Sequence, residues 1–74
     1  MTFATSIRTA LPLTAREAAV LRLLAEGLTA RAIARRLGVA TATVSKHQEH
    51  LYRKLGTCDR LTTVLTAQRL NLVP

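Results

Sequence analysis

The residues of this chain that could do chemistry crowd into one short stretch. His47 and His50 lie three positions apart and Cys58 follows eight residues later. Two imidazoles and a thiol are three of the four ligands of a tetrahedral zinc site, and a cysteine beside a histidine is a nucleophile and its base. Ser45, Lys46 and Glu49 carry a hydroxyl, an ammonium and a carboxylate at neighbouring helical positions. Those are side-chain types that read base edges in a DNA groove: lysine donates to guanine O6 and N7, glutamate accepts from cytosine N4, and serine does either. Each set has a plainer reading. Polar residues at helical spacing also make an ordinary solvated face, and histidines on a helix shoulder can simply pack.

The elements that must carry these residues decide among the readings. On a helical wheel of about 100° per residue, Ser45, Lys46, Glu49 and Arg53 fall in one polar sector, and Val44, Leu51 and Leu55 fall opposite. A helix over residues 41–55 therefore buries one side and shows the other to a partner. His47 and His50 fall on the shoulder between, Cys58 lies past the helix end, and no fourth ligand is in sight. A metal is not expected, and neither is a Cys–His nucleophile, for a bundle of this size has little room for a pocket. Cys58 is expected as a small apolar residue near the turn after this helix. No enzyme and no cofactor are expected.

Three further helices frame it. Thr14 and Glu17 have the spacing of a capping box, in which the hydroxyl accepts from the backbone three residues on and the carboxylate reaches back. Val20, Leu21, Leu24 and Leu28 follow at helical spacing, and Gly27 can take the left-handed conformation that closes a helix, so a first helix is expected over 15–26. Thr29 caps a short second helix, 30–37, with Ile33, Ala34 and Leu37 as its apolar stripe and Gly38 as its end. The joint to the 41–55 helix is too short for anything but a sharp crossing, the helix-turn-helix arrangement. Gly56 ends that helix and Asp59 caps a fourth, 60–70. The fold class is all-α, a four-helix bundle with a central helix-turn-helix.

Composition agrees. The chain has 74 residues, 49% of them hydrophobic and only 3% aromatic, with a net charge of +7. That is one small domain with a modest core. No apolar run approaches the length of a membrane-spanning helix. Residues 1–12 lack the apolar stretch of a signal peptide and read as a leader or linker, with an organelle transit peptide as the lesser alternative. The domain proper is 13–74. One cysteine excludes an internal disulfide and fits a reducing cytoplasm. The charge points to a polyanion, nucleic acid ahead of a membrane surface. It is concentrated: residues 31–54 hold Arg31, Arg35, Arg36, Lys46, Arg53 and Lys54 against Glu49 alone, five of the seven net charges.

The sequence also resembles a known family. Leu13-Thr14-x-Arg16-Glu17-x-x-Val20-Leu21-x-Leu23-Leu24-Ala25-x-Gly27 is similar to the opening of the LuxR-type (LuxR/FixJ, GerE-like) helix-turn-helix domain. So are Ile33-Ala34-x-x-Leu37-x-Val39 and Thr43-Val44-x-x-His47-x-x-x-Leu51-Tyr52-x-Lys54-Leu55-Gly56 followed by Arg60. The resemblance covers about Leu13–Leu70. It implies a domain of a bacterial transcriptional regulator that binds double-stranded DNA, with the third helix in the major groove and the fourth at a dimer contact. A receiver or ligand-binding domain ahead of it, response-regulator use and contact with RNA polymerase belong to the same expectation. Met1 fits a complete chain, while residues 2–12 fit an excised domain. By position, Ser45, Lys46 and Glu49 are the expected base-reading residues. Thr43, His47, Arg53 and Lys54 are expected near phosphates or bracing the helix, with Arg31 and Arg36 also on phosphates. Glu17 and Arg60 are expected as an ion pair inside the bundle.

Four positions depart from the family pattern. Ala40 stands where a capping serine is usual, so Thr41 takes over the cap or about 1 kcal/mol is lost. Ala32 replaces the glutamate of a second capping box. Ser45 replaces a common lysine, and Glu49 puts a negative charge at a reading position. The uncapped helix and Glu49 are what support the alternative, a helix-turn-helix protein-interaction module without DNA binding. A basic membrane-surface bundle is a third reading. The fourth helix carries Leu61, Leu65, Gln68 and Leu72 along one side, with Val64 and Ala67 turned toward the core. A second apolar stripe on so small a domain calls for a partner, and a homodimer fits.

Overall fold

The computed structural model describes residues 12–74, so the leader expected over 1–12 lies, apart from Pro12, outside the described residues. Four helices follow: α1 (Ala15–Ala25), α2 (Ala30–Leu37), α3 (Thr41–Leu55) and α4 (Arg60–Arg69). No strand occurs among the described residues. The all-α expectation holds, and two helix ends fall one residue short of those expected.

The reason lies in how the helices stop. Past α1, Gly27 N–H donates to the Leu24 carbonyl and Leu28 N–H to the Leu23 carbonyl, with Gly27 at φ 93°. This is the Schellman arrangement, which satisfies the last carbonyls by turning one residue left-handed. Past α4, Asn71 at φ 61° plays the same part, with Asn71 N–H on Gln68 and Leu72 N–H on Ala67. The left-handed residue stands two positions beyond the last helical one, so Glu26 and Leu70 are caps.

The starts follow the expected chemistry with one exception. Thr14 and Glu17 form the reciprocal capping box, Thr29 accepts from the Ala32 N–H, and Asp59 accepts from the Thr62 N–H. Ala40 is the N-cap of α3 and supplies no side-chain hydrogen bond. Thr41 does not take the cap over: it is already the first helical residue, where its hydroxyl is past the capping position.

The core forms where the apolar stripes meet. Val20, Leu21, Leu23 and Leu24 of α1 pack with Ile33 and Ala34 of α2, Val44 and Leu51 of α3, Ala67 of α4 and Val73 beyond it. α3 packs on α2, α1 and α4, which fixes the rotation of its opposite face. Val73 and Thr63 are among the buried residues without a counterpart in the apolar stripes. Val73 lies beyond α4, and Thr63 is fully buried, its hydroxyl donating to the Asp59 carbonyl one turn back. Cys58 is exposed beside the turn between α3 and α4 rather than packed.

Candidate nucleic-acid interface

α3 carries the candidate site. Val44, Leu51 and Leu55 are buried, and Ser45, Lys46, Glu49 and Arg53 are exposed on the far side. Thr43 is exposed near the helix start. Arg31, Arg35 and Arg36 are exposed on α2, three residues of turn away from α3. Among the described residues none of these cations, nor Glu49, makes an ion pair. The two helices therefore present free guanidinium and ammonium groups around one exposed carboxylate.

Lys54 is placed differently. Its Nζ donates to Glu17 Oε1 at 2.6 Å and to the Pro12 carbonyl at 3.0 Å. His50, one turn earlier on α3, puts Nδ1 3.7 Å from Glu17 Oε2. Glu17 thus closes its own helix cap and receives a lysine from α3 as well. Burial pushes its carboxyl up. The hydrogen bonds from Lys54 and the Thr14 N–H, with the charges of Lys54 and His50, outweigh burial and hold it below its ordinary value. Asp59 is held low by the Thr62 backbone and side-chain hydrogen bonds.

The expected Glu17–Arg60 ion pair does not form. Arg60 Nη2 donates instead to the Leu28 carbonyl and, at 3.4 Å, to the Leu24 carbonyl. A guanidinium beside the C-terminal end of α1 meets the negative end of the helix dipole and carbonyls that need donors. Lys54, reaching from α3, takes Glu17. His47 has its Nδ1 buried without a hydrogen-bond partner among the described residues. Among the described residues no cluster of His, Cys, Asp and Glu is arranged to hold a metal, and no helix is long and apolar enough to cross a membrane.

α4 leaves Leu61 68% and Leu65 48% exposed; Leu72, expected on the same helical stripe, lies instead past the end of α4, beyond the left-handed Asn71, and is 41% exposed, with Leu70 at 37%. Gln68, expected on the same stripe, turns its Nε2 back onto the Pro74 carbonyl at 3.2 Å. Sequence reasoning did not single out Leu70 or this contact. The carbonyl at the chain end is not a signal that spacing can supply.

Comparison with known proteins agrees with this geometry. The defining pattern of the bacterial regulatory proteins of the luxR family matches residues 11–67. The chain is 46% identical over 61 residues to the probable transcriptional regulatory protein NarL of Mycobacterium tuberculosis H37Rv, covering 82% of this chain and 28% of that protein. It is 47% identical over 64 residues to the HTH-type transcriptional regulator MalT of Yersinia pestis, covering 86% of this chain and 7% of that protein. It therefore spans less than a third of either relative. In three dimensions it superposes on the transcription factor GerE with a TM-score of 0.78 and 29% identity, covering 84% of this chain and 92% of that one. It superposes on the response regulator ChrA of a heme-sensing two-component system with a TM-score of 0.80 and 38% identity, covering 82% of this chain and 30% of that one. A transcription-regulator fold and an exposed basic helix converge on one assignment: the chain belongs to the LuxR family of bacterial regulatory proteins.

Proposed function

We propose that this domain binds double-stranded DNA sequence-specifically, with α3 in the major groove and two copies joined through α4. The observation that carries the reading is the two-sidedness of α3: Val44, Leu51 and Leu55 are buried, and Ser45, Lys46, Glu49 and Arg53 stand exposed and unpaired on the other side. Ser45, Lys46 and Glu49 are the base-reading residues. Thr43, Arg53, Arg31 and Arg36 lie on phosphates, which fix register without reading sequence. His47 and Lys54 brace α3 from behind.

The dimer joins Leu61, Leu65 and Leu72 of two copies, an apolar stripe that water would otherwise cover. A two-fold pair sets its half-sites about one helical turn of DNA apart, or a multiple of it. Receiver or ligand control, and contact with RNA polymerase, would reach this domain from other parts of a regulator.

Titrating duplex DNA at several salt concentrations tests the reading. With three or four phosphates neutralised per subunit, a dimer gives a log–log salt slope of about −5 to −7. Absence of binding at low salt overturns it in favour of a protein-interaction module. Binding to anionic vesicles but not to duplex would point to a membrane surface.

A further inference from the structure

We infer that Glu49 and Lys46 select the operator as a pair: the half-site carries a cytosine whose N4 amino group donates to Glu49, next to a base pair whose guanine O6 and N7 accept from Lys46. This rests on the placement of α3 in the major groove proposed above.

Glu49 is the unusual feature of the exposed face. Of the other three acids, Glu17 and Asp59 are engaged at helix starts, and Glu26 is exposed as the C-cap of α1. Glu49 makes no ion pair among the described residues, although Lys46 and Arg53 stand three positions before and four after it, where helical side chains meet. A free carboxylate among phosphates is repelled by every sequence, so it adds nothing to general affinity. It becomes favourable only where a donor meets it.

The major groove offers two such donors, cytosine N4 and adenine N6. Adenine N6 lies between its own N7 and thymine O4, both acceptors that repel a carboxylate. Cytosine N4 has guanine O6 on one side and only C5–H on the other, so a carboxylate can approach it from the open side. Lys46 needs the reverse pattern, and guanine O6 and N7 supply it. The two residues are three positions apart on one face of α3, with Cβ atoms about 5–6 Å apart, so their side chains can reach the edges of adjacent base pairs. There the ammonium and the carboxylate offset each other's charge in the groove.

Selection from a randomised duplex library with the full chain, E49A, E49Q and K46A tests this. Wild type is expected to return two adjacent G·C pairs. E49A is expected to lose the preference at one pair only, to bind unrelated duplex more tightly, and to show a specificity ratio lower by roughly tenfold or more. E49Q is expected to move that position toward adenine, whose N6 and N7 suit an amide. K46A is expected to lose the neighbouring guanine. A second measurement replaces the selected cytosine by 2-pyrimidinone, which lacks the amino group: wild type should weaken roughly tenfold and E49A should not respond. If E49A and wild type return the same consensus, Glu49 reads no base and the inference fails while DNA binding stands. If wild type binds no duplex at all, both fall.

Discussion

Arg53 and Lys54 are adjacent on one helix, both cationic, and do opposite work. Arg53 is exposed and unpaired on the face that carries Lys46 and Glu49. Lys54, turned about 100° further round, is held against Glu17 and the Pro12 carbonyl. The outer face of α3 keeps its charges free, and its inner shoulder uses them to fasten the helix to α1. A count of basic residues is therefore no map of an interface. What matters is whether a cation already has a partner in the free protein.

Variants of α3 and its supports can break or sharpen that contrast. The largest effect is expected from Leu51→Ala, which empties a fully buried position on the inner side. It should cost about 2–5 kcal/mol in denaturant unfolding, and a loss below about 1 kcal/mol would mean that α3 is not seated by its apolar side. Next is Glu17→Gln, which can keep the cap but removes the charge that meets Lys54. A loss of about 1–3 kcal/mol is expected, and an unchanged midpoint would place Lys54 with the free cations.

The same pair sets an acid dependence. The folded carboxyl of Glu17 is held below its ordinary value of 4.5. Its stabilisation is therefore complete above about pH 4.5 and is lost as pH falls through the lower folded value. Melting curves across that range should show a shallower acid slope for Glu17→Gln than for wild type. Ala40→Ser should stabilise by about 1 kcal/mol by supplying the absent cap. The smallest stability effect belongs to Arg53→Ala, within about 0.5 kcal/mol. Yet it should reduce the steepness of the DNA salt dependence by about one unit per subunit. Lys54→Met should do the reverse, lowering stability and leaving the slope in place.

Much of this was legible in the sequence because it depends on local spacing. The caps at Thr14, Thr29 and Asp59 and the stops at Gly27, Gly38 and Gly56 are contacts between residues a few positions apart. The buried side of α3 follows from the helical period. The partners of Lys54 and Arg60 were not legible. Both are long cations, Arg60 was the one expected on Glu17, and only the approach of α3 and α4 to α1 decides which reaches it. Thr63 was missed because a threonine is not apolar. Its hydroxyl, four residues past Asp59, can donate to a carbonyl one turn back and so tolerate burial. The outer stripe was readable as a set of residues, while its freedom from internal ion pairs needed the fold.

The Lys54–Pro12 contact ties the start of the described chain to the end of α3. Pro12 is the first described residue, and its carbonyl is held by the last turn of α3. Lys46 lies eight residues earlier on the same helix, about 12 Å along its axis. Moving Pro12 away would break its hydrogen bond to Lys54 and leave that ammonium held by Glu17 alone.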